Sequence, residues 1–297
     1  MVHHMDPTIA RKTWRTLEPI HGMVYFIPEA HANYSALGLE GRSGYFASRA
    51  APMGAVTAPV VVATFFNFNP TLVTAAMFGV WETTTPSLVL DARLRAVDTA
   101  LHRAFGDLMS DPTLPLVAEL AQRVAQRAIT HVDGRPLFGG HASLEWPDAS
   151  QPHLVLWHAQ SLLREFRGDG HIAALVAEGL SGIDALVLHH ATGELPMAAL
   201  QGSRAWPDAD WATAVDDLAA RGYVNADGSF TDHGRARRQW VEDRTDLLAC
   251  DPYRAIGEDG CETLRTLGRP FSKAIIDGGL LDFSALLRPD AAAPEPA

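Results

Sequence analysis

The sequence is poor in cysteine, in cations and in long apolar runs. Only two cysteines, Cys250 and Cys261, occur in 297 residues, and both lie late. A disulfide framework is therefore not expected, and a reducing cytoplasm is the simplest expectation. The longest apolar run, PVVVATFF at 59–66, falls well short of the ~20 residues needed to span a bilayer. No apolar segment follows a basic region near the start, so no secretion signal is read. Basic residues number 24 against 35 acidic ones, a formal charge of −11. Much nucleic-acid affinity comes from Lys and Arg, so this balance disfavours nucleic acid without excluding a local basic face.

Motifs of common chemistry are missing too. There is no GxGxxG after a strand, no GxxxxGK[ST], no GxSxG and no HExxH. Thirteen histidines form no zinc spacing, so neither a metal nor a cofactor is expected. Cys261 sits in GEDGCETL, where acidic neighbours should raise its thiol pKa and disfavour a nucleophile.

What is present is mostly helix. Apolar residues make up 47% of the chain, enough for about two domains. Residues 8–26 have helical spacing, and Pro28 and Pro70 are suited to first turns. From Pro86, SLVLDARLRAVDTALHRAFG predicts a long amphipathic helix. Asp111-Pro112 opens another, to about Ile129. Residues 131–152, rich in Gly and Pro, are expected to be an irregular linker. A helix near 153–166 leads into REFRGDGH, where Gly168 and Gly170 predict a junction, with Asp169 capping the next helix. The tail from Pro289 shows no apolar period and is expected to fray.

Residues 181–240 carry the sharpest signal. Ser181 caps a helix through SGIDALVLHHA, and a short helix follows near ELPMAALQG. After SRAWP, a third helix runs through DADWATAVDDLAARG. YVNADGSF then predicts a two-stranded wing turning at Asp227-Gly228, and Thr231 caps a closing helix. This order resembles MarR-like winged-helix proteins. Over residues 8–270 the chain also resembles a group of actinobacterial helix-turn-helix proteins, which carry stretches like LEPIHGMVYFIPEA, YFASRAAPMG and LLREFRGDGH in similar order. The resemblance implies a fold and a regulatory ancestry, but no particular activity.

In a DNA-binding protein of this kind the third helix would enter the major groove. Here it carries Asp208, Asp210, Asp216 and Asp217, and the wing tip has Asp227. Arg204, Arg221, Arg235 and Arg238 are the candidate phosphate contacts, with Arg237 beside them. They meet an acidic face, which is unfavourable near phosphate.

The motif also looks duplicated. FIPEAHANYSALGLEG at 26–41 parallels FRGDGHIAALVAEGLSG at 166–182, placing Glu29 and His31 opposite Asp169 and His171. The expected fold is therefore mainly α, with tandem winged helix-turn-helix domains forming an intramolecular pseudo-dimer. Long linking helices join the domains, and the second carries a short wing hairpin. The expected divisions are 8–130, a linker at 131–152, 153–288 and a tail at 289–297.

Two polar groups suggest a site. Glu18, His21 and Tyr25 share one helix face, and His31 and Glu29 follow. His21, Tyr25, His31 and His171 are the candidates for general acid/base work. Glu18, Glu29, Arg164, Arg167 and Asp169 are the candidate ligand-binding residues, since Arg forks suit carboxylate or phosphate. Phe65, Phe66, Phe68, Phe78 and Trp81 serve either a flat ligand or the core. The leading expectation is a small-molecule-binding winged-helix protein with a His-containing pocket between its repeats. The alternative is a MarR-like DNA-binding regulator that responds to a small ligand. A monomeric pseudo-dimer or a homodimer, with no membrane partner, fits either.

Overall fold

The computed structural model describes residues 5–281. The tail from Pro289 and the last residues of the expected second domain lie outside them. The chain is built from α-helices, many of them opened by proline in the first turn, where a missing N–H costs nothing. The first seven are α1 (Pro7–Gly22), α2 (Pro28–Ser35), α3 (Arg42–Ala50), α4 (Ala58–Thr64), α5 (Pro70–Met77), α6 (Val80–Thr83) and α7 (Pro86–Phe105). Then come α8 (Thr113–Ile129), α9 (Pro136–Ala142) and the long α10 (Pro152–Ala177). The last five are α11 (Gly182–His190), α12 (Met197–Arg204), α13 (Asp208–Ala220), α14 (Asp232–Cys250) and α15 (Gly257–Asp277).

Two cores form. The larger takes its residues from α1–α9, most of α10, and α15; Leu17, Phe46, Leu101, Leu114, Leu156 and Phe271 are fully buried in it. The smaller joins the last turns of α10 to α11–α14, with Leu186, Trp211, Leu218, Val224 and Val241. The same helix α10 therefore serves both cores. Its first eleven residues after Pro152 are buried on every side, as an interior helix requires. Side chains such as Leu156 and Leu162 each contribute about 1.5–3 kcal/mol by burial. Ala118, Ala121, Ala125 and Ala128 give α8 a small-residue buried face, which lets α8 and α10 pack closely.

The REFRGDGH stretch is not a junction. α10 runs through it without a break. Two interior glycines weaken a helix by roughly 1 kcal/mol each, yet packing prevails here. A Cβ on Gly170 would lie 2.8 Å from Nη1 of Arg135. That guanidinium donates to the carbonyls of Phe166 and Leu248 and lies over the Phe166 ring. Gly170 thus makes room for a tertiary contact. Asp169 does cap a helix, but a different one: its Oδ2 accepts from the Phe138 N–H at 2.9 Å, at the start of α9. Residues 131–152 are accordingly not wholly irregular, because α9 buries Leu137, Phe138 and His141.

The expected tandem winged domains are not supported. No strand forms among the described residues, and the wing reduces to one antiparallel bridge between Val224 and Phe230. Asp227 uses its side chain locally, accepting from the Ser229 N–H at 2.9 Å, and Thr231, which donates to the Tyr223 carbonyl, already caps α14. In the first half, Gly79 adopts a left-handed φ and Val80–Thr83 coils into α6 where a wing would be needed. The halves also pack unequally, since the C-terminal α15 lies against α1 in the first core.

The local signals of the second half do form. Ser181 and Asp184 make a reciprocal capping box at α11. Gly222 takes φ +76 just beyond α13. Thr231 Oγ1 accepts from the Gly234 N–H at 2.9 Å to cap α14. Thr231→Ala is expected to cost about 1 kcal/mol, read as a lower denaturant midpoint with an unchanged slope.

The module formed by α11–α14 around the smaller core is docked on the body, the helices of the larger core. The Asn69 N–H donates to the Arg204 carbonyl at 3.0 Å. Trp206 Nε1 donates to the Asn67 carbonyl at 2.9 Å. Between α12 and α13, Ala205 is the one described non-glycine residue with a left-handed φ, so the turn is held in a disfavoured shape beside this contact.

Candidate functional site

Between the body and the module lies a crevice of about 1790 Å³. Its walls come chiefly from α1, α3, the loop after α4, α5, α10, α11 and α12. The amphipathic pattern of α3 aims Tyr45 and Arg49 inward, and the residues that end α12 put Ser203 and Arg204 on the facing wall.

The central feature is a group of arginines on aromatic rings. The guanidinium carbon of Arg49 lies 4.3 Å from the Phe65 ring centre and 5.1 Å from that of Tyr25. That of Arg204 lies 4.5 Å from Phe68. Arg42 and Arg164 stand 6.0 Å from Tyr45 and 5.9 Å from Tyr25. The rings touch one another, with Tyr45 5.6 Å from Tyr25 and 5.8 Å from Phe68.

The arginine contacts are incomplete. Arg49 donates to the Tyr45 hydroxyl at 2.8 Å and lies 3.8 Å from Glu165. Arg204 donates to Ser203 Oγ at 2.9 Å. The Nε atoms of both are buried without a hydrogen-bond partner. Two carboxylates oppose these charges. Glu165, 2% exposed, accepts from Arg164 at 2.8 Å. Burial would raise its pKa, but Arg164 and Arg49 hold it down at about 2. Glu18 goes the other way. Desolvation pushes it up to about 7 against the pull of Arg164 and of the Trp14 indole N–H at 2.6 Å. Tyr45 reports the sum: burial pushes its phenol up, yet the charges of Arg49, Arg204 and Arg164 leave it below its ordinary value.

Glu18 gives a pH prediction. Its folded pKa lies above the unfolded value of about 4.3. Its favourable contribution is then complete below about pH 4 and fades as pH rises through about 7. Asp169, raised by burial to about 6, and His171, lowered by burial to about 4, titrate over neighbouring ranges. The difference in denaturant midpoint between wild type and Glu18→Gln isolates the effect. Relative to the variant, wild type should lose stability between pH 5 and 8; a constant difference would contradict the raised pKa.

The sequence candidates divide. His21 is buried rather than open to the crevice. Its Nδ1 lies 2.8 Å from Ser161 Oγ, and its Nε2 2.7 Å from the Tyr25 hydroxyl. Ser161 donates to the Trp157 carbonyl, so it accepts from His21 Nδ1–H, and Nε2 accepts from Tyr25. Burial, then Arg164, holds His21 well below its ordinary pKa, while burial pushes Tyr25 up to about 12. Both protons are therefore held, and Tyr25 lines the crevice while its hydroxyl is bonded to His21.

His171 also lines the crevice, with Nδ1 2.9 Å from Thr245 Oγ1. His31 is exposed at its margin. Glu29 is not part of it, since Arg103 of α7 takes both its oxygens at 2.8 and 3.1 Å. Arg167 is committed to Asp246 at 2.8 Å and stacks on Trp14, tying α10 to α14 and α1. The expected correspondence of Glu29 and His31 with Asp169 and His171 is not symmetric: His31, on α2, and Asp169 and His171, inside α10, all line the crevice, whereas Glu29 does not.

Phe65, Phe66 and Phe68 line the crevice; Phe78 is 89% exposed, and Trp81 packs on the core with its N–H on Val56. Cys261 is raised to about 11, chiefly by burial rather than by its acidic neighbours. Arg42, Tyr45 and Arg49 were missed by sequence reasoning, whereas Glu165 is the neighbouring carboxylate that neutralises Arg164. The spacing Arg42-Tyr45-Arg49, three and four apart on one helix face, was the available signal. Away from the crevice, Asp98, His102 and His153 bring one potential metal-ligand atom each within 4.8 Å of one another. His153 Nε2 lies 2.7 Å from Asp98 Oδ1.

The DNA-binding candidates do not form one basic face. Asp208, Asp210, Asp216 and Asp217 all point outward on α13. Arg221 contacts Asp184 at 3.3 Å and the Gly179 carbonyl at 2.9 Å. Arg237 pairs with Glu178, and Arg238 with Glu242. Arg204 faces the crevice, and Arg235 is exposed over Phe230.

A family model described as a helix-turn-helix family matches residues 10–282. No curated protein and no solved structure matches the chain. No single helix among the described residues is long and apolar enough to cross a membrane.

Proposed function

Because the chain belongs to this helix-turn-helix family, we propose that it is a small-molecule-binding helix-turn-helix protein whose ligand sits between the helical body and the module. The carrying observation is the crevice itself, walled by both parts and lined by rings with a few convergent charged groups. Sites of that make-up between structural units are common ligand pockets. The His21–Tyr25 arrangement supports holding a ligand more than transferring a proton. With His21 lowered and Tyr25 raised, the shared proton belongs to the phenol, which leaves the pair a weak base.

Family membership suggests nucleic-acid binding. The outward carboxylates of α13 and the paired state of Arg221, Arg237 and Arg238 argue for ligand binding as the principal activity. Two measurements separate the readings. Native mass spectrometry of protein purified from its host should show a bound organic mass that is lost on denaturation. Electrophoretic mobility of DNA from upstream of its own gene should be unchanged at physiological salt. A specific shift together with an empty crevice would reverse the preference.

A further inference from the structure

We infer that the crevice takes an organic anion with an apolar body, its oxyanion head held between Arg49 and Arg164 of the body and Arg204 of the helix-turn-helix module. This rests on the crevice reading above and names its ligand class.

Charge is the first reason. Arg49, Arg164 and Arg204 line one cavity; of the carboxylates that also line it, Glu165 and Glu18 contact these arginines, while Glu40 accepts from Ser35 and Asp169 from Phe138. Three guanidinium groups against these two carboxylates leave an excess of positive charge in a partly desolvated space. Such charge is costly unless paired, so a bound anion would be stabilised by it.

Unused donors are the second. Arg49 is 8% exposed, and its Nε has no partner. Arg204 also has a buried, unpartnered Nε. Arginine forks bind oxyanions with charge-assisted hydrogen bonds, and planar geometry makes them specific. The body of the ligand follows from the other walls: Phe65, Phe68, Leu72 and Ala76 continue from the arginines as an apolar surface. An inorganic ion would leave that surface unused.

The position of Arg204 adds a consequence. It ends α12, and the strained Ala205 turn leads directly into α13. An anion bridging Arg49 and Arg204 would clamp α12 to the body and fix where α13 points. Occupancy would then be read out as order in the module.

The test uses the full chain and four probes: 2-naphthoate, 1-naphthyl phosphate, neutral 2-naphthamide and inorganic phosphate. Binding is followed by displacement of the fluorescent anion 1-anilinonaphthalene-8-sulfonate. One of the two organic anions should bind at least about tenfold tighter than the amide, the worth of one charge-assisted contact. Arg204→Gln should bring that anion down to the level of the amide, and Arg204→Lys should recover part of the difference. Circular dichroism checks that both variants are folded. Bound anion should also slow amide exchange across 197–206. If the amide binds as well as the anions, the anion assignment fails while the crevice reading stands. If inorganic phosphate displaces the dye as well as the organic anions do, the apolar body is refuted. If no probe binds, both readings fail.

Discussion

Glu165→Ala is expected to lower stability by about 3–5 kcal/mol, the usual result of removing one partner from a buried ion pair. Glu165 is 2% exposed, contacts Arg164 at 2.8 Å and lies 3.8 Å from Arg49. Its loss leaves these guanidinium groups facing one another, with only Glu18 nearby, itself partly protonated near pH 7. Denaturant unfolding at pH 7 measures the cost. Since Glu165 is held near a pKa of about 2, below its unfolded value, its contribution is present above the ordinary carboxylate range and is lost as pH falls toward about 2. The variant and wild type should therefore converge in acid. A second signature separates this from simple loss of packing. Added 2-naphthoate should raise the melting temperature of the variant more than that of wild type, because it restores the missing negative charge. Equal stability of the two proteins at pH 7 would mean that the arginine group carries no strain.

Gly182→Ala is expected to release the helix-turn-helix module from the body. A Cβ at this position would lie 1.9 Å from the Phe66 carbonyl oxygen and 3.0 Å from the Asn67 Cα. Both are backbone atoms, so no side-chain rotation relieves the clash. The 65–69 loop must move, and it holds Asn67 and Asn69, which receive Trp206 and meet Arg204. Overpacking of this kind costs about 1–3 kcal/mol, and more where the backbone resists. A chain of this size loses about 2–4 °C in melting temperature for each kcal/mol. Hydrogen exchange should quicken in 65–69 and 197–206 before it does in α8 or α10. Gly202→Ala is the control: it lies on α12 with nothing within 4 Å of its Cβ position, and it should melt at or slightly above the wild-type temperature. If Gly182→Ala behaves like that control, the docking is looser than described.

Local rules were legible and long-range ones were not. The helix Pro86–Phe105, the caps at Ser181 and Thr231, and the end of α13 at Gly222 all follow from residues within a few positions of each other. The wing failed because its turn signal at Asp227-Gly228 came without enough flanking residues to extend a ladder. REFRGDGH misled for the opposite reason. Two glycines within three positions predict a break, and the compensating partner, Arg135, comes from a distant segment. Of the candidate ligand residues, Glu18, Arg164 and Asp169 line the crevice, while Glu29 and Arg167 are spent on Arg103 and Asp246. Arg204 was legible as a cation but not as a crevice wall, because its direction depends on how α12 meets the 65–69 loop. Arg49 was legible only in part: Tyr45 lies on its own helix, but its other ring partners, Tyr25 and Phe65, come from distant segments.

The central claim is that an organic molecule binds between body and module. Isothermal titration of the full chain with the tightest of the four probes, at two temperatures, tests it most directly. The account predicts one saturable site per chain and a negative heat-capacity change, as burial of apolar surface requires. Loss of that heat in Arg204→Gln should accompany it. A flat titration, or the same heat in wild type and Arg204→Gln, would contradict the account.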